Sequence, residues 1–160
     1  MNISRIYRLA FLAVTFIAAT VVAQEANKMK IKRSDLPPAV AKTVATQSRG
    51  ATIRGFSEEK DEGQNFYEVE LMVNGRRKDV LMDANGKIIE VEEQIAFASL
   101  PAAMRDRLQA KAGTGKILKV ESLIKRGKLV HYEAEVMTNG KKSEVKVRIG
   151  PDGKPLDQAE

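Results

Sequence analysis

The chain has no cysteine, no tryptophan and a single histidine among 160 residues, and only 5% of it is aromatic. Without cysteine there can be no disulfide, thiolate metal site, cysteine nucleophile or lipidated cysteine behind a leader. One histidine leaves no His-Glu-x-x-His zinc helix, and no Gly-x-Ser-x-Gly elbow is present. Sparse aromatics, with no basic stripe woven among them, argue against a nucleic-acid partner. There is also no apolar run long enough to span a bilayer, which takes roughly 20 residues. The uncharged run Leu9 to Ala23 has 15.

That stretch follows Arg5 and Arg8, and Val21 and Ala23 are small residues at the −3 and −1 positions of a cut before Gln24. A basic start, a short apolar middle and a small-residue cleavage site make residues 1–23 a secretory signal peptide, with no stable membrane insertion expected after cleavage. The mature chain, 24–160, carries a net charge of +4 once Arg5 and Arg8 are gone. The charge is uneven: residues 24–35 are net +2, residues 36–93 net −3 and residues 94–160 net +5. Opposite signs on the two halves favour their mutual attraction or head-to-tail association.

Three blocks recur in order. Leu36-Pro37-Pro38-Ala39-Val40 returns as Leu100-Pro101-Ala102-Ala103-Met104, Tyr67 to Gly75 returns as Tyr132 to Gly140, and Asn85-Gly86-Lys87 returns as Asp152-Gly153-Lys154. The offsets drift from 64 to 65 to 67, as small loop insertions allow. Each block set starts with a helix, capped by Asp35 or Ser99, with apolar residues four apart: Leu36, Val40, Val44 and Leu100, Met104, Leu108. Strands follow at 51–56, 66–73, 77–83 and 87–92, then at 116–124, 131–137, 142–149 and 155–158. Asn74-Gly75 and Asn139-Gly140 predict type I′ hairpin turns.

The expected fold is α+β: two tandem repeats, each a helix followed by a four-stranded antiparallel sheet, with the helices packed on one sheet face. The domain reading is signal peptide 1–23, basic tether 24–35, first repeat 36–93 and second repeat 94–160. Whether the two sheets join stays open. The pattern Leu-Pro-x-Ala-Val, Tyr-Glu-Val-Glu, Asn-Gly and Asp-x-Asn-Gly-Lys, over nearly all of the mature chain, resembles the PepSY-like family, which is related in fold to the beta-lactamase inhibitor proteins. The resemblance implies a periplasmic or secreted binding or inhibitory module. It carries over no target-contacting residues.

Candidate chemistry is thin. Gly113-Thr114-Gly115-Lys116 lacks the spacing and the hydroxyl residue of a phosphate loop and reads as a helix-to-strand turn. Asp83-Ala84-Asn85-Gly86 lacks the downstream acids of a calcium loop. On strands 66–73 and 131–137, alternation sends Phe66, Glu68, Glu70, Met72, His131, Glu133, Glu135 and Met137 to one face. These eight form the candidate interaction face, with cross-strand ion pairs to Lys146 and Arg148 as the plainer role of its acids. No catalytic residue, cofactor or metal is expected. The function expected is a non-catalytic exported module binding an unidentified protein or peptide. The alternative is an ion or small-ligand binder of the envelope that uses the acidic turns of the first half.

Overall fold

The structure, a computed structural model, describes residues 28–148 and 154–156. The expected signal peptide and the expected turn at Asp152-Gly153 lie outside the described residues. Within them the order is β1 (Lys28–Ile31), α1 (Pro38–Gln47), β2 (Thr52–Asp61), β3 (Gln64–Val73), β4 (Arg76–Asp83), β5 (Ile88–Ile95), α2 (Ala102–Ala112), β6 (Lys116–Lys125), β7 (Lys128–Thr138) and β8 (Lys141–Arg148). The eight strands form one sheet in sequential order, each antiparallel to the next. The sheet is continuous because β5 pairs with β6 from Glu90 opposite Lys125 to Ile95 opposite Val120.

Both helices cover the same face. Val40 and Val44 of α1 are buried with Tyr67, Val69, Leu71, Val80 and Met82. Met104, Leu108 and Ala112 of α2 are buried with Val120, Ala134, Val136 and Val147. Val91 packs against the first cluster and Ile95 against the second. They lie four residues apart on β5, hence on one side of it. The apolar stripes expected from the sequence are the buried ones.

Three expectations are corrected, and one open question closes. The two sheets, whose joining the sequence leaves open, are one: among the described residues four strands follow α1 and three follow α2, and of the expected last strand, 155–158, Pro155 forms a β-bridge and Leu156 N–H donates to Arg148 O (2.9 Å), while 157 and 158 lie outside the described residues. The segment expected as a tether supplies β1, with Ile31 packed on the α1 core and Lys28 reaching Glu68. Its alternation is four residues long, too short to stand out from a basic linker. The helices begin at Pro38 and Ala102 rather than beside Asp35 and Ser99. A residue before proline is pushed into the extended region. Leu36 and Leu100, at ψ 135 and 149, therefore separate Asp35 and Ser99 from the helices and leave them in short 3-10 turns. There Asp35 Oδ2 accepts from Lys32 N–H (2.9 Å) and Ser99 Oγ–H donates to Ala96 O (2.7 Å). Lastly, β2 runs on to Asp61 and β5 to Ile95, past the expected ends. The charged run Glu58 to Asp61 looks like loop in the sequence but pairs with Gln64 to Tyr67 across a turn in which Glu62 and Gly63 both have positive φ.

Candidate functional site: the open sheet face

With both helices on one side, the other side of the sheet is left uncovered by any described element, and its chemistry follows from strand parity. Register places four residues in a row across the middle of this face: Glu70 on β3, Asp79 on β4, Glu92 on β5 and Leu123 on β6. His131 on β7 extends the row. A neighbouring row runs Glu68, Leu81, Glu90, Lys125. Another places Glu121, Glu133 and Lys146 side by side.

All eight residues of the expected face lie on this side. Glu68 and Glu133 line its central trough, of about 310 Å³. His131 lines a small recess beside it, and Phe66, Glu70, Met72, Glu135 and Met137 stand on the surrounding strands. Strand-parity reasoning on β3 and β7 did not single out the trough's middle: Asp79, Glu90, Glu92 and Glu121. A signal for them was available. Glu90 and Glu92 stand two apart around Val91, the same pattern as Glu68 and Glu70 around Val69.

Eight carboxylates and four basic side chains line the trough, a net of −4 on a chain whose net charge is +6. Each of the four cations is already engaged. Lys28 Nζ meets Glu68 at 2.6 Å, Arg77 Nε meets Asp79 at 2.6 Å, Lys119 Nζ meets Glu121 at 2.9 Å and Lys146 Nζ meets Glu133 at 2.7 Å. From the trough's edge, Lys125 pairs with Glu90 at 2.8 Å. The expected cross-strand role of Lys146 is thus seen with Glu133, and Lys142 pairs with Glu135 at 2.9 Å. Glu92, on the central strand, has no ion pair among the described residues.

The electrostatics follow from this crowding. Partial desolvation between its strand neighbours, then repulsion from Glu90, Glu121, Glu133 and Asp79, pushes the Glu92 carboxyl up to about 7. Glu92 is exposed, the one exposed position of β5, so water screens both contributions. Burial raises Asp79 to about 6 against the pull of Arg77. Glu133 moves the other way, to about 2, because hydrogen bonding from His131, and then from Lys146, outweighs its burial. Among the described residues, two buried side-chain oxygens, Ser57 Oγ and Asp79 Oδ1, have no hydrogen-bond partner. Register puts both on the open face, since Ser57 pairs with Glu68 and Asp79 with Glu70.

Other chemistry is weaker still. Asp83 Oδ1 accepts from the N–H groups of Asn85 (2.9 Å) and Lys87 (3.0 Å), so the turn once compared with a calcium loop spends its carboxylate on its own backbone. Among the described residues no group of three His, Asp or Glu side chains is arranged to hold a metal, and no helix is long and apolar enough to cross a membrane.

No family model matches the chain, and no curated protein matches it. Solved structures do share its fold. A BLIP-like protein from Bacteroides fragilis is similar at 18% identity, with 76% of this chain and 84% of that one covered and a TM-score of 0.54. A DUF2874 family protein from Bacteroides ovatus is similar at 15% identity, with coverage of 76% and 85% and a TM-score of 0.56. A protein from Bacteroides eggerthii, described as periplasmic, is similar at 15% identity, with coverage of 76% and 86% and a TM-score of 0.58. At these identities the likeness is one of fold: the chain has a BLIP-like α+β architecture, two helices laid on one antiparallel sheet.

Proposed function

We propose that this chain is an exported, non-catalytic binding module that docks a protein partner through its open sheet face and modulates it. The observation that carries this reading is the face itself. Among the described residues, nothing covers the side of the eight-stranded sheet opposite the helices, and its middle is a charged trough lined also by Leu81, with Leu123 in the small recess beside it. A rigid sheet displays such side chains at fixed spacing, so a partner meets a preorganised surface. A catalytic reading has little to work with: the acids sit on a sheet surface, mostly tied to cations, beside a single histidine.

Three further features support the proposal. The sequence of residues 1–23 has the form of a secretory signal, and one structural neighbour is described as periplasmic, so we place the module in the periplasm or outside the cell. The BLIP-like neighbour gives a fold-level reason to consider inhibition as the form of modulation. The three recurring blocks resemble the PepSY-like pattern in tandem. Nucleic acid is a poor candidate, because the trough's acids repel phosphate.

The test is affinity capture from envelope and culture-supernatant extracts, with the mature chain compared with two charge variants. Glu92→Arg plants a cation in the trough, whereas Asp106→Arg plants one on the exposed side of α2. A protein retained at moderate salt by the wild type and by Asp106→Arg, but lost by Glu92→Arg, supports the reading. Retention by all three means that the open face is not the docking surface.

A further inference from the structure

The charge balance of the open face defines what its occupant must bring. All four cations lining the trough are committed to their own acids, and Glu92, in the middle, is left without one. Directly across β4 stands Asp79, only 9% exposed, whose Oδ2 accepts from Arg77 and whose Oδ1 has no hydrogen-bond partner. Like charges opposite one another on a sheet repel, so this pair is a local frustration that the fold itself does not relieve. Ser57 Oγ, in a residue 3% exposed, is a second polar atom on this face without a partner. Two apolar side chains flank Glu92: Leu123 lies directly across on β6, and Leu81 lies on β4 one row away. A carboxylate with aliphatic flanks fits a long side chain that has an alkyl stem and a cationic head.

We propose that the open face receives a lysine or arginine side chain of its protein partner at Glu92, the head against Glu92 and Asp79 and the stem over Leu81 and Leu123. This rests on the docking reading above and names the chemistry of the partner: a protein presenting a basic projection inside a larger contact. A partner with an acidic contact surface would meet repulsion from the trough's net charge instead.

Protonation then modulates the contact. Facing Glu92 are Asp79 on β4, Glu90 on its own strand, Glu121 on β6, Glu133 and His131 on β7 and Lys146 on β8. With the acids in the majority, Glu92 holds its proton to higher pH than a lone carboxyl. An arriving cation must displace that proton, so binding strengthens as pH rises from 5.5 to 8.

The experiment uses the purified exported protein and the blocked peptide acetyl-pentalysine-amide as probe, with acetyl-pentaglutamate-amide as the control of sign. Affinities are measured at low salt for the wild type, Glu92→Gln and Asp106→Asn. The last makes the same charge change on the helix side. The expected result is that Glu92→Gln weakens pentalysine binding about tenfold, the effect of one lost charge-assisted contact. Asp106→Asn should change it by less than about twofold. The carboxyl resonance of Glu92 should titrate at lower pH when the peptide is bound. Equal losses in the two variants, or an unmoved Glu92 titration, would show that the attraction is diffuse and overturn the inference. A natural partner that docks on the open face yet binds Glu92→Gln as tightly as wild type would also overturn it, while leaving the docking reading intact. A partner that docks on the helix side would defeat the docking reading whatever the peptide does.

Discussion

Glu92 and Asp79 are held in a way that costs the isolated fold stability at neutral pH. An acid whose carboxyl is raised on folding binds its proton more tightly in the native state than in the unfolded one. Stability therefore falls as pH rises from the unfolded value to the folded one. For Glu92 that window runs from 4.5 to about 7, and for Asp79 from 3.8 to about 6. Glu133 acts in the opposite sense: its contribution is present above 4.5 and is lost as pH falls toward about 2. The thermal midpoint should thus peak near the acid end of the Glu92 window and decline from there toward pH 8. Glu92→Gln should flatten the decline and raise the midpoint at pH 8, by a small amount because Glu92 is exposed and water screens its neighbours. A melting series in wild type and variant, with the same slope in both, would contradict this. These residues were only partly legible in the sequence. Alternation shows that Glu68, Glu70, Glu133 and Glu135 share a face, but not which carboxylates lack a cation. That depends on register across strands far apart in the chain, such as Glu92 between Asp79 and Leu123.

At the scale of elements, local chemistry announced itself where one or two residues determine the backbone. Asn74-Gly75 and Asn139-Gly140 form the expected hairpins, all four with positive φ. Glu62-Gly63 and Arg126-Gly127 take the same conformation without the asparagine that signals it, and so β2 was read too short. The Asn85-Gly86 turn also does work that no local pattern reveals. Its Gly86 O accepts from Thr43 Oγ1–H on α1 (2.8 Å), and a Cβ at Gly86 would stand 2.5 Å from Ala39 O. The turn thereby fixes the first helix to the sheet. Gly86→Ala should destabilise by about 2–4 kcal/mol, from the left-handed φ together with the clash against helix backbone. Gly63→Ala, which has the same sign of φ but open space around it, should lose only about 1–2 kcal/mol. Urea unfolding of the two variants separates these effects, and equal losses would remove the docking role of Gly86.

Across the whole molecule, the continuity of the sheet turns two helix-covered halves into one surface. Neither half could make the trough alone. Lys28, Glu68 and Asp79 come from before β5, whereas Lys119, Glu121, Glu133 and Lys146 come from after it. The composition gave no hint of this separation, because the net basic charge of the chain is a sum over all its surfaces. The acidic trough emerges only when alternate residues of eight strands are aligned. The helix face, by contrast, follows from apolar periodicity alone, and for that reason it was the more legible side of the protein. The most direct test of the central claim, that the open face is where this protein meets its partner, is site-specific photo-cross-linking in the exporting cell. A photoreactive residue is placed at position 92 in one strain and at position 106 in another. The account predicts a discrete adduct from position 92 and none from position 106. An adduct from position 106 alone would contradict it, and the helix-covered side would then be the contact surface.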